Sequence, residues 1–273
     1  EDNTIYCIRN TNYLRSEKMT QVVDLNSDSG EAFGSWSMGD DATMMSLVSS
    51  ANIACGFHAS DPLTMRNTCA LAARNNVRIG AHVSYPDLVG FGRRFIDMAP
   101  AELTNAVLFQ LGALEAVARA EGTRVSYVKP HGGLYNAIVH HEQQAQAVAQ
   151  GIKEFGGDLP ILCLPHSEIE KSAQSLGLPV VYEVFADRGY TPEGTLVPRT
   201  QPGAVIHDTE EVAQRVLRMV AEGTVVAQDG SVVSLRADSI CVHGDTPGAV
   251  ALAREVREIL VRNGVQIQPF IAA

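Results

Sequence analysis

The strongest constraint on the fold is an alternation of seven short apolar segments with longer amphipathic ones. The apolar segments are rich in β-branched side chains and end in polar turns, which is typical of buried strands. The predicted strands are Gln21–Asn26, Ala51–Cys55, Val77–Ala81, Val125–Lys129, Leu159–Leu164, Val180–Val184 and Ser239–Val242. Strands that alternate with helices pair in parallel and are covered by those helices. The sequence therefore predicts one α/β domain over residues 19–273.

The segments between the strands predict the covering helices. Their apolar residues recur at helical spacing, and Pro or Asp marks several of their first turns. The predicted helices are Met38–Ser50, Pro62–Asn76, Pro100–Glu121, Glu142–Phe155, a helix that ends at Leu176, Glu210–Glu222 and Pro247–Asn263. A β-hairpin with an Asp-Gly turn is predicted at Val225–Leu235. The irregular segment Thr191–Ala204 is long enough to be a functional loop.

Every predicted strand ends in an ionisable side chain. These residues are Asp24 and Asp28, His58, His82, Lys129 and His131, His166, Asp187 and Arg188, and His243 and Asp245. In an open doubly wound sheet only the strand ends beside the switch point converge, whereas in a closed barrel all of them face one mouth. We therefore predict a seven-stranded TIM-like (β/α)7 barrel, although its closure need not be perfect.

The segment Val125–Asn136 carries the clearest functional signal. A strand breaks at Pro130, and the following Gly-Gly pair lets the backbone approach a ligand closely. Lys129 is one of four lysines in the chain and lies at the end of an apolar strand, with His131 two residues later. Perturbed lysines and histidines cluster at functional sites, so we predict a functional role for Lys129 in preference to a structural buried ion pair.

Acidic residues and histidines at other strand ends are candidates for the same site. Asp24, Asn26 and Asp28 share one face of the first strand because side chains alternate along it, and Glu31 follows. The alternative is that some of these carboxylates only cap the next helix. His58, His82 and His131 follow three consecutive strands and can act as proton carriers, hydrogen-bond donors or ligands. A divalent metal site, Mg²⁺ or Zn²⁺, formed by Asp28, His58 and His131 is one hypothesis.

The segment Asp187–Tyr190 adds a third group of candidates. Arg188 is suited to bidentate binding of a carboxylate or phosphate at the barrel mouth. An Asp187–Arg188 pair that only holds the following loop in place is the alternative. His243 lies at the end of the last strand.

Composition and absent motifs exclude several classes of protein. The net charge is −10 without a basic cluster, so neither nucleic acid nor an anionic membrane is an expected partner. The apolar runs are too short to span a bilayer. Neither a P-loop nor a GxGxxG or GxSxG motif is present. The five cysteines form no CxxC pair, and we expect buried thiols in a reducing cytoplasm. Residues 1–18 have no signal-peptide pattern and are interpreted as an extension outside the domain, either disordered or not native to it.

Eight segments together resemble the LamB/YcsF family, the bacterial proteins that form the A subunit of 5-oxoprolinase, once called lactam utilization proteins. They are DLNSDSGE (Asp24–Glu31), NIACGFHASDP (Asn52–Pro62), GAHVSYPD (Gly80–Asp87), GFGRR (Gly90–Arg94), YVKPHGGLYN (Tyr127–Asn136), EVFADRGY (Glu183–Tyr190), LVPR (Leu196–Arg199) and CVHGD (Cys241–Asp245). The resemblance covers residues 21–270 in order; Val83 stands where Pro is expected, and Gly133 where Ala is common. It implies a barrel of the glycoside hydrolase/deacetylase type and ATP-dependent opening of 5-oxo-L-proline to L-glutamate with partner subunits B and C.

The resemblance also suggests how the candidate residues divide the work. ATP, a co-substrate bound here or by the partners, would activate the lactam oxygen as a phosphate ester. Asp28 or Glu31 would then activate water, with Lys129, His131 and Asp187 as further catalytic candidates. The substrate-binding candidates are Asn26, His58, His82, Arg188 and His243. Two alternatives stay open: a stand-alone metal-dependent amidohydrolase or deacetylase, and a non-catalytic subunit that carries 5-oxoproline.

Overall fold

The computed structural model of the chain describes residues 21–244 and 248–271, so the predictions for residues 1–18, Asp245 and Pro247 lie outside the described part. The strands are β1 (Val22–Ser29), β2 (Ser50–Ala54), β3 (Arg78–His82), β4 (Val125–Val128), β5 (Ile161–Cys163), β6 (Val180–Phe185), β7 (Thr224–Val226), β8 (Val232–Ser234), β9 (Ser239–Cys241) and β10 (Gln266–Ile267). The helices are α1 (Asp41–Met44), α2 (Pro62–Arg74), α3 (Pro100–Ala120), α4 (Gly132–His140), α5 (Glu142–Phe155), α6 (Glu168–Ser175), α7 (Thr209–Glu222) and α8 (Ala249–Arg262).

Seven parallel strands form a closed barrel in the order β1-β2-β3-β4-β5-β6-β9, and β9 pairs with β1 to complete it. This confirms the predicted seven-stranded TIM-like barrel. The short strand β10 extends β1 on its outer side in parallel register. The predicted hairpin is also present, as the antiparallel pair β7–β8 between α7 and β9. In the described ranges, no helix has both the length and the apolar character needed to cross a membrane.

The helices pack on the outside of the barrel through their apolar faces. In α3 the buried residues Leu103, Val107, Leu111 and Leu114 follow helical spacing. Helix α5 packs closely beside α3, and the hydroxyl of Thr104 donates to the carbonyl of Ala147 at 3.0 Å. The apolar core therefore lies between barrel and helices, and the barrel interior is free to hold polar side chains.

Two helix predictions differ from the structure. The helix predicted over 38–50 is a single turn, α1, because the backbone N–H of Ser49 already donates to the carbonyl of Leu25 in β1. Helix α4 was not predicted, since the glycine pair that opens it was interpreted as a loop. Its residues Leu134, Tyr135, Ile138 and Val139 are buried at helical spacing.

The barrel interior is lined by polar side chains on alternating residues. The strand register places Asp28 beside Asn52, Asn52 beside Gly80, and Gly80 beside Tyr127. Gly80 is required here because a Cβ atom at this position would lie only 2.1 Å from the Tyr127 ring. The phenol of Tyr127 thereby crosses the interior and donates to the Asn52 side chain at 2.7 Å.

Candidate active site

A cavity of about 330 Å³ opens at the carboxyl ends of the barrel strands. This is the end at which barrel enzymes hold their active sites. The ionisable side chains that line it are Asp28, Glu31, His82, Arg93, Lys129, His131, Arg188, Arg199 and His243. The predicted convergence of strand ends therefore holds for β1, β3, β4, β6 and β9, and His58, which follows β2, is buried 3.0 Å from the cavity residue Glu31. His166 is the exception, because it is exposed in a left-handed turn whose N–H is bound by Glu170.

Lys129 forms the floor of this cavity. Its ammonium lies 2.9 Å from the carboxylate of Asp28, 3.1 Å from Glu183 and 2.9 Å from the sulfur of Cys241. The side chain is 2 % exposed, and the ring of Phe185 lies 5.4 Å from the ammonium. Lys129 is thus a member of a buried ion pair that also lines the cavity, and its functional role stays a prediction.

The charges on Lys129 and Asp28 stabilise each other. Burial alone would lower the pKa of Lys129, but the nearby Asp28, Cys241 and Glu183 raise it well above its ordinary value. Burial alone would raise the pKa of Asp28, but His82 and Lys129 hold it well below its usual range. At neutral pH the cavity floor therefore presents an ammonium ion beside an ionised carboxylate.

A hydrogen-bonded network below the floor orients Asp28. The amide of Asn52 donates to Asp28 at 2.8 Å and to Asn26 at 2.7 Å. Asn26 donates in turn to Glu183 at 3.1 Å and to Ser239 at 2.7 Å. The predicted inner face of β1 is confirmed by these contacts. Asn26 itself is fully buried beneath the cavity, where it supports the floor.

Four buried side chains from successive strand ends form a second group beside the floor, which we call the imidazole cluster: Glu31, His58, His82 and His131. The carboxylate oxygen Oε1 of Glu31 lies 3.0 Å from His58 Nε2, 3.5 Å from His131 Nδ1 and 3.9 Å from His82 Nε2. The rings of His58 and His131 stack with centroids 3.8 Å apart. Burial lowers the pKa of His58 and of His131 well below the ordinary value, and the neighbouring histidines lower both further.

The loop after β3 holds this cluster in place. The carbonyl of Phe91 accepts from His131 Nε2 at 2.8 Å, and Gly92 adopts a left-handed conformation with φ of 62°. A Cβ atom at Gly92 would lie 2.7 Å from the Cβ of His58 and 2.8 Å from His131 Cδ2. The GFGRR motif is therefore explained by a close approach of backbone to imidazole.

The structure divides the predicted metal ligands between two groups. His58 and His131 lie with Glu31 and His82, whereas Asp28 lies with Cys241 and His243. The second group already contains a cation, because the ammonium of Lys129 contacts both Asp28 and Cys241. Among the described residues, the imidazole cluster is consequently the better set of metal ligands.

Asp187, His243 and Arg199 form a chain at the opposite wall. His243 Nδ1 donates to the Asp187 carboxylate at 2.8 Å, and His243 Nε2 accepts from Arg199 at 3.1 Å. Burial opposes ionisation of Asp187, but His243 holds its pKa below the ordinary value. This pairing fixes the orientation of the His243 ring, which stacks on Phe185.

Arg188 lines the cavity and is also bonded to the loop that follows β6. Its guanidinium donates to the carbonyl of Ala204 at 2.9 Å and of Val197 at 2.6 Å, so it holds the loop over 191–204. Burial and the nearby Arg199 lower its pKa to about 10. These contacts hold the following loop in place, as the alternative to substrate binding stated. The partners of Arg188 are backbone carbonyls, however, and not the carboxylate of Asp187. Arg199, which the sequence did not single out as a binding residue, is an exposed arginine at the mouth, as is Arg93.

Sequence reasoning missed four residues that complete the floor. They are Asn52, Tyr127, Glu183 and Cys241. Cys241 was expected to be a buried hydrophobe; it is buried, as are Cys55, Cys69 and Cys163, but its sulfur contacts Lys129. Glu183 precedes the end of β6 by two residues, and the period of two along that strand was the signal that could have placed it inside the barrel.

A closed parallel barrel with a charged cavity at the carboxyl ends of its strands defines a barrel protein of the enzyme type. The chain belongs to the LamB/YcsF family, which matches residues 23–273. It is 61% identical over 249 residues to the 5-oxoprolinase A subunit of Kocuria rhizophila, a match that covers 91% of this chain and 99% of that one. The corresponding protein of Pyrococcus abyssi is 53% identical over 247 residues, covering 90% and 97%.

Solved structures agree with this assignment. A lactam utilization protein from Thermus thermophilus superposes with a TM-score of 0.87 and 46% sequence identity, covering 91% of this chain and 100% of that one. A putative cellobiose-phosphate cleavage protein from Enterococcus faecalis shares the fold at a TM-score of 0.52 and 11% identity, covering 91% and 97%.

Proposed function

We propose that this chain is the A subunit of a 5-oxoprolinase, which opens 5-oxo-L-proline to L-glutamate at the expense of ATP together with subunits B and C. The observation that carries the proposal is the pairing of Lys129 with Asp28 on the cavity floor, in a chain 61% identical to a protein of that name. The substrate and the assembly in this proposal come from the names of the relatives, and the reaction chemistry is inferred from the residues that line the cavity.

The size and charge of the cavity suit a small cyclic anion. A cavity of about 330 Å³ is at the lower end of the range for small-ligand sites. Lys129 lies at its floor and Arg199 at its mouth, so a carboxylate or phosphate can meet a cation at either end. We assign the mouth to Arg199 in place of Arg188, because Arg188 is bonded to loop carbonyls.

Activation by ATP agrees with the weak basicity of the floor. An unstrained lactam is a poor electrophile, and a carboxylate with a strongly lowered pKa, such as Asp28, is a weak general base. Phosphorylation of the lactam oxygen would compensate by making the ring carbon more electrophilic. Asp28 would then accept the proton of the attacking water, and Lys129 would stabilise the negative charge that develops on oxygen.

The remaining predicted residues position these groups in this proposal. Water attack and cleavage of the ring C–N bond give an acyl phosphate, which a second water hydrolyses to glutamate and phosphate. Asp28 would return the proton taken from the first water to the leaving ring nitrogen. Asp187 would hold His243 at the cavity wall, since His243 Nδ1 lies 2.8 Å from its carboxylate, and His243 Nε2 lies 3.1 Å from Arg199. His82 lies 3.4 Å from Asp28 and orients its carboxylate.

The decisive experiment measures glutamate release from 5-oxoproline with this chain alone and with subunits B and C, each with and without ATP. Turnover that requires all three subunits and ATP is the expected result, and Asp28→Asn should abolish it. A second candidate, a stand-alone metal-dependent amidohydrolase, is favoured by the imidazole cluster and predicts turnover by the chain alone without ATP. Full turnover by the Asp28→Asn assembly would instead indicate a carrier subunit.

A further inference from the structure

The hydrogen bonds of His82 and His131 fix both ring tautomers. His82 Nδ1 lies 2.8 Å from the carbonyl of Lys129, and His131 Nε2 lies 2.8 Å from the carbonyl of Phe91. A carbonyl oxygen only accepts hydrogen bonds, so each of these nitrogens carries the ring proton. The other nitrogens, His82 Nε2 and His131 Nδ1, therefore hold lone pairs in the neutral rings.

These two lone-pair nitrogens face each other at 2.9 Å. Two acceptors at that distance repel unless a positive species lies between or beside them. The backbone carbonyls hold both rings in this arrangement, in the way that carbonyl and carboxylate partners orient the histidine ligands of metal sites. His82 Nε2 and His131 Nδ1 are therefore placed so that one cation can accept both lone pairs.

Glu31 and His58 supply two further donors to the same point. Glu31 Oε1 lies between 3.0 and 3.9 Å from the three facing imidazole nitrogens. A tetrahedral ion with bonds of about 2.1 Å holds its donors about 3.4 Å apart, a value that these separations bracket. His58 Nε2 faces the same point, and when it binds an ion the ring proton lies on Nδ1, which is buried without a hydrogen-bond partner among the described residues.

We propose that Glu31, His58, His82 and His131 bind one divalent transition-metal ion. Three imidazoles and one carboxylate form a donor set that prefers Zn²⁺ and its neighbours to Mg²⁺ or Ca²⁺, which take oxygen ligands. The four ligands follow β1, β2, β3 and β4, so one edge of the barrel mouth supplies the whole site. The site stands apart from the proposed 5-oxoprolinase activity, since it depends on these four side chains and two carbonyls alone.

Metal binding would also separate the roles of the two cavity carboxylates. With an ion bound, Glu31 is a ligand, and Asp28 alone is left to accept a proton on the cavity floor. His82 contacts both groups, as its Nε2 lies 3.4 Å from Asp28. The ion would therefore lie directly beside the floor on which the substrate is expected.

The test is direct metal binding by the chelator-treated full chain, without substrate. We expect one equivalent of Zn²⁺ by elemental analysis and calorimetry, undisturbed by excess Mg²⁺. His82→Gln and His131→Gln should each weaken Zn²⁺ binding at least about 100-fold, which is the upper end of the effect of removing an outer-shell partner. The control is His166→Asn, which replaces an exposed histidine in a left-handed turn that asparagine can also adopt. This variant should bind Zn²⁺ as tightly as the wild type does.

Cobalt substitution keeps the test valid if a variant fails to fold. Wild-type protein loaded with Co²⁺ should show the visible spectrum of a tetrahedral ion without a thiolate charge-transfer band. A thiolate band would place the ion at Cys241 and overturn the assignment, as would unchanged Zn²⁺ affinity in both variants. Failure of the wild type to retain any Zn²⁺ would assign the contact between His82 and His131 to a shared proton instead.

Discussion

The ammonium of Lys129 and the carboxylate of Asp28 lie 2.9 Å apart on the floor of a barrel that closes around them. Both side chains are buried, and the carboxylate of Glu183 lies 3.1 Å from the same ammonium. One lysine therefore balances two carboxylates, and its removal leaves two uncompensated charges in a low-dielectric interior.

Lys129→Met is expected to lower both stability and turnover. Loss of one partner of a buried ion pair costs about 3–5 kcal/mol in the free energy of unfolding. Turnover of the assembled enzyme should fall at least about 100-fold, because an electrostatic donor to the reacting oxygen is lost. Urea denaturation and glutamate release measure the two effects, and Lys153→Met on the exposed face of α5 is the matched control.

The double variant Lys129→Met with Glu183→Gln separates catalysis from stability. It removes one of the two stranded charges, so part of the lost stability should return while turnover stays low. Recovery of turnover along with stability would show that Lys129 is only a structural ion-pair member.

Asp24 should make the protein less stable as the pH rises from about 4 to 7. Burial raises its pKa from 3.8 to about 6, although Ser49, Ser50 and Ser239 all donate to it. Because the folded state binds the proton more tightly, this contribution is present below pH 4 and is lost as the pH passes 6. The difference between the two pKa values corresponds to about 3 kcal/mol.

The Asp24→Asn variant reports this contribution directly. Its free energy of unfolding is measured by urea denaturation at each pH and compared with that of the wild type. The difference, variant minus wild type, should increase by about 3 kcal/mol between pH 4 and 7. A decrease of this difference as the pH rises would contradict the expected sign. It would mean that the three hydroxyl donors lower the pKa of Asp24 by more than burial raises it.

The strand ends and one inner face of the barrel could be predicted because they depend on local patterns. Asp24, Asn26 and Asp28 alternate along β1, and the turn residues after each strand mark the carboxyl ends. The contacts between side chains across the barrel interior could not be predicted from such local patterns. Glu183 reaches Lys129, and Tyr127 reaches Asn52, only because strands far apart in sequence meet in one register.

The metal site expected from the sequence and the one proposed from the structure differ at Glu31, His82 and Asp28 for a related reason. Spacing along the chain showed that His58 follows the second strand and His131 the fourth, but not how far each loop turns back over the mouth. Glu31 lies near these rings because the chain turns at Gly30, which adopts φ of 69°. Asp28, on the strand itself, points instead to Lys129. One turn of backbone thus brings Glu31 near all three histidine rings, whereas Asp28 meets only His82 among them.

Gly80→Ala should disrupt the floor without touching a charged residue. The added Cβ would lie 2.1 Å from the ring of Tyr127, so the ring must move and its hydrogen bond to Asn52 is lost. Overpacking of this kind costs about 1–3 kcal/mol, and turnover should fall as Asn52 no longer holds Asp28.

Gly112→Ala is the control for this substitution. Gly112 lies in α3 with no atom within 4 Å of the added Cβ, so alanine should stabilise the helix by about 0.5–1 kcal/mol. Thermal unfolding of the two variants measures both effects. Equal stability of the two would show that the ring of Tyr127 can move at little cost.

Arg188 and Arg199 should respond differently to the same substitution by Met. Arg188→Met leaves the carbonyl of Val197 without its side-chain donor, and leaves that of Ala204 with the N–H of Gly189 alone. This loss should cost about 1–3 kcal/mol and expose the loop over 191–204 to proteolysis. Arg199 is exposed at the mouth, so Arg199→Met should change stability by less than about 0.5 kcal/mol. Its effect should appear as a higher KM for the anionic substrate, by about tenfold for the loss of one charge-assisted contact.

Steady-state kinetics of the assembled enzyme and limited proteolysis of the isolated chain distinguish the two outcomes. A raised KM for Arg188→Met with an intact loop, and none for Arg199→Met, would return the substrate-binding role to Arg188.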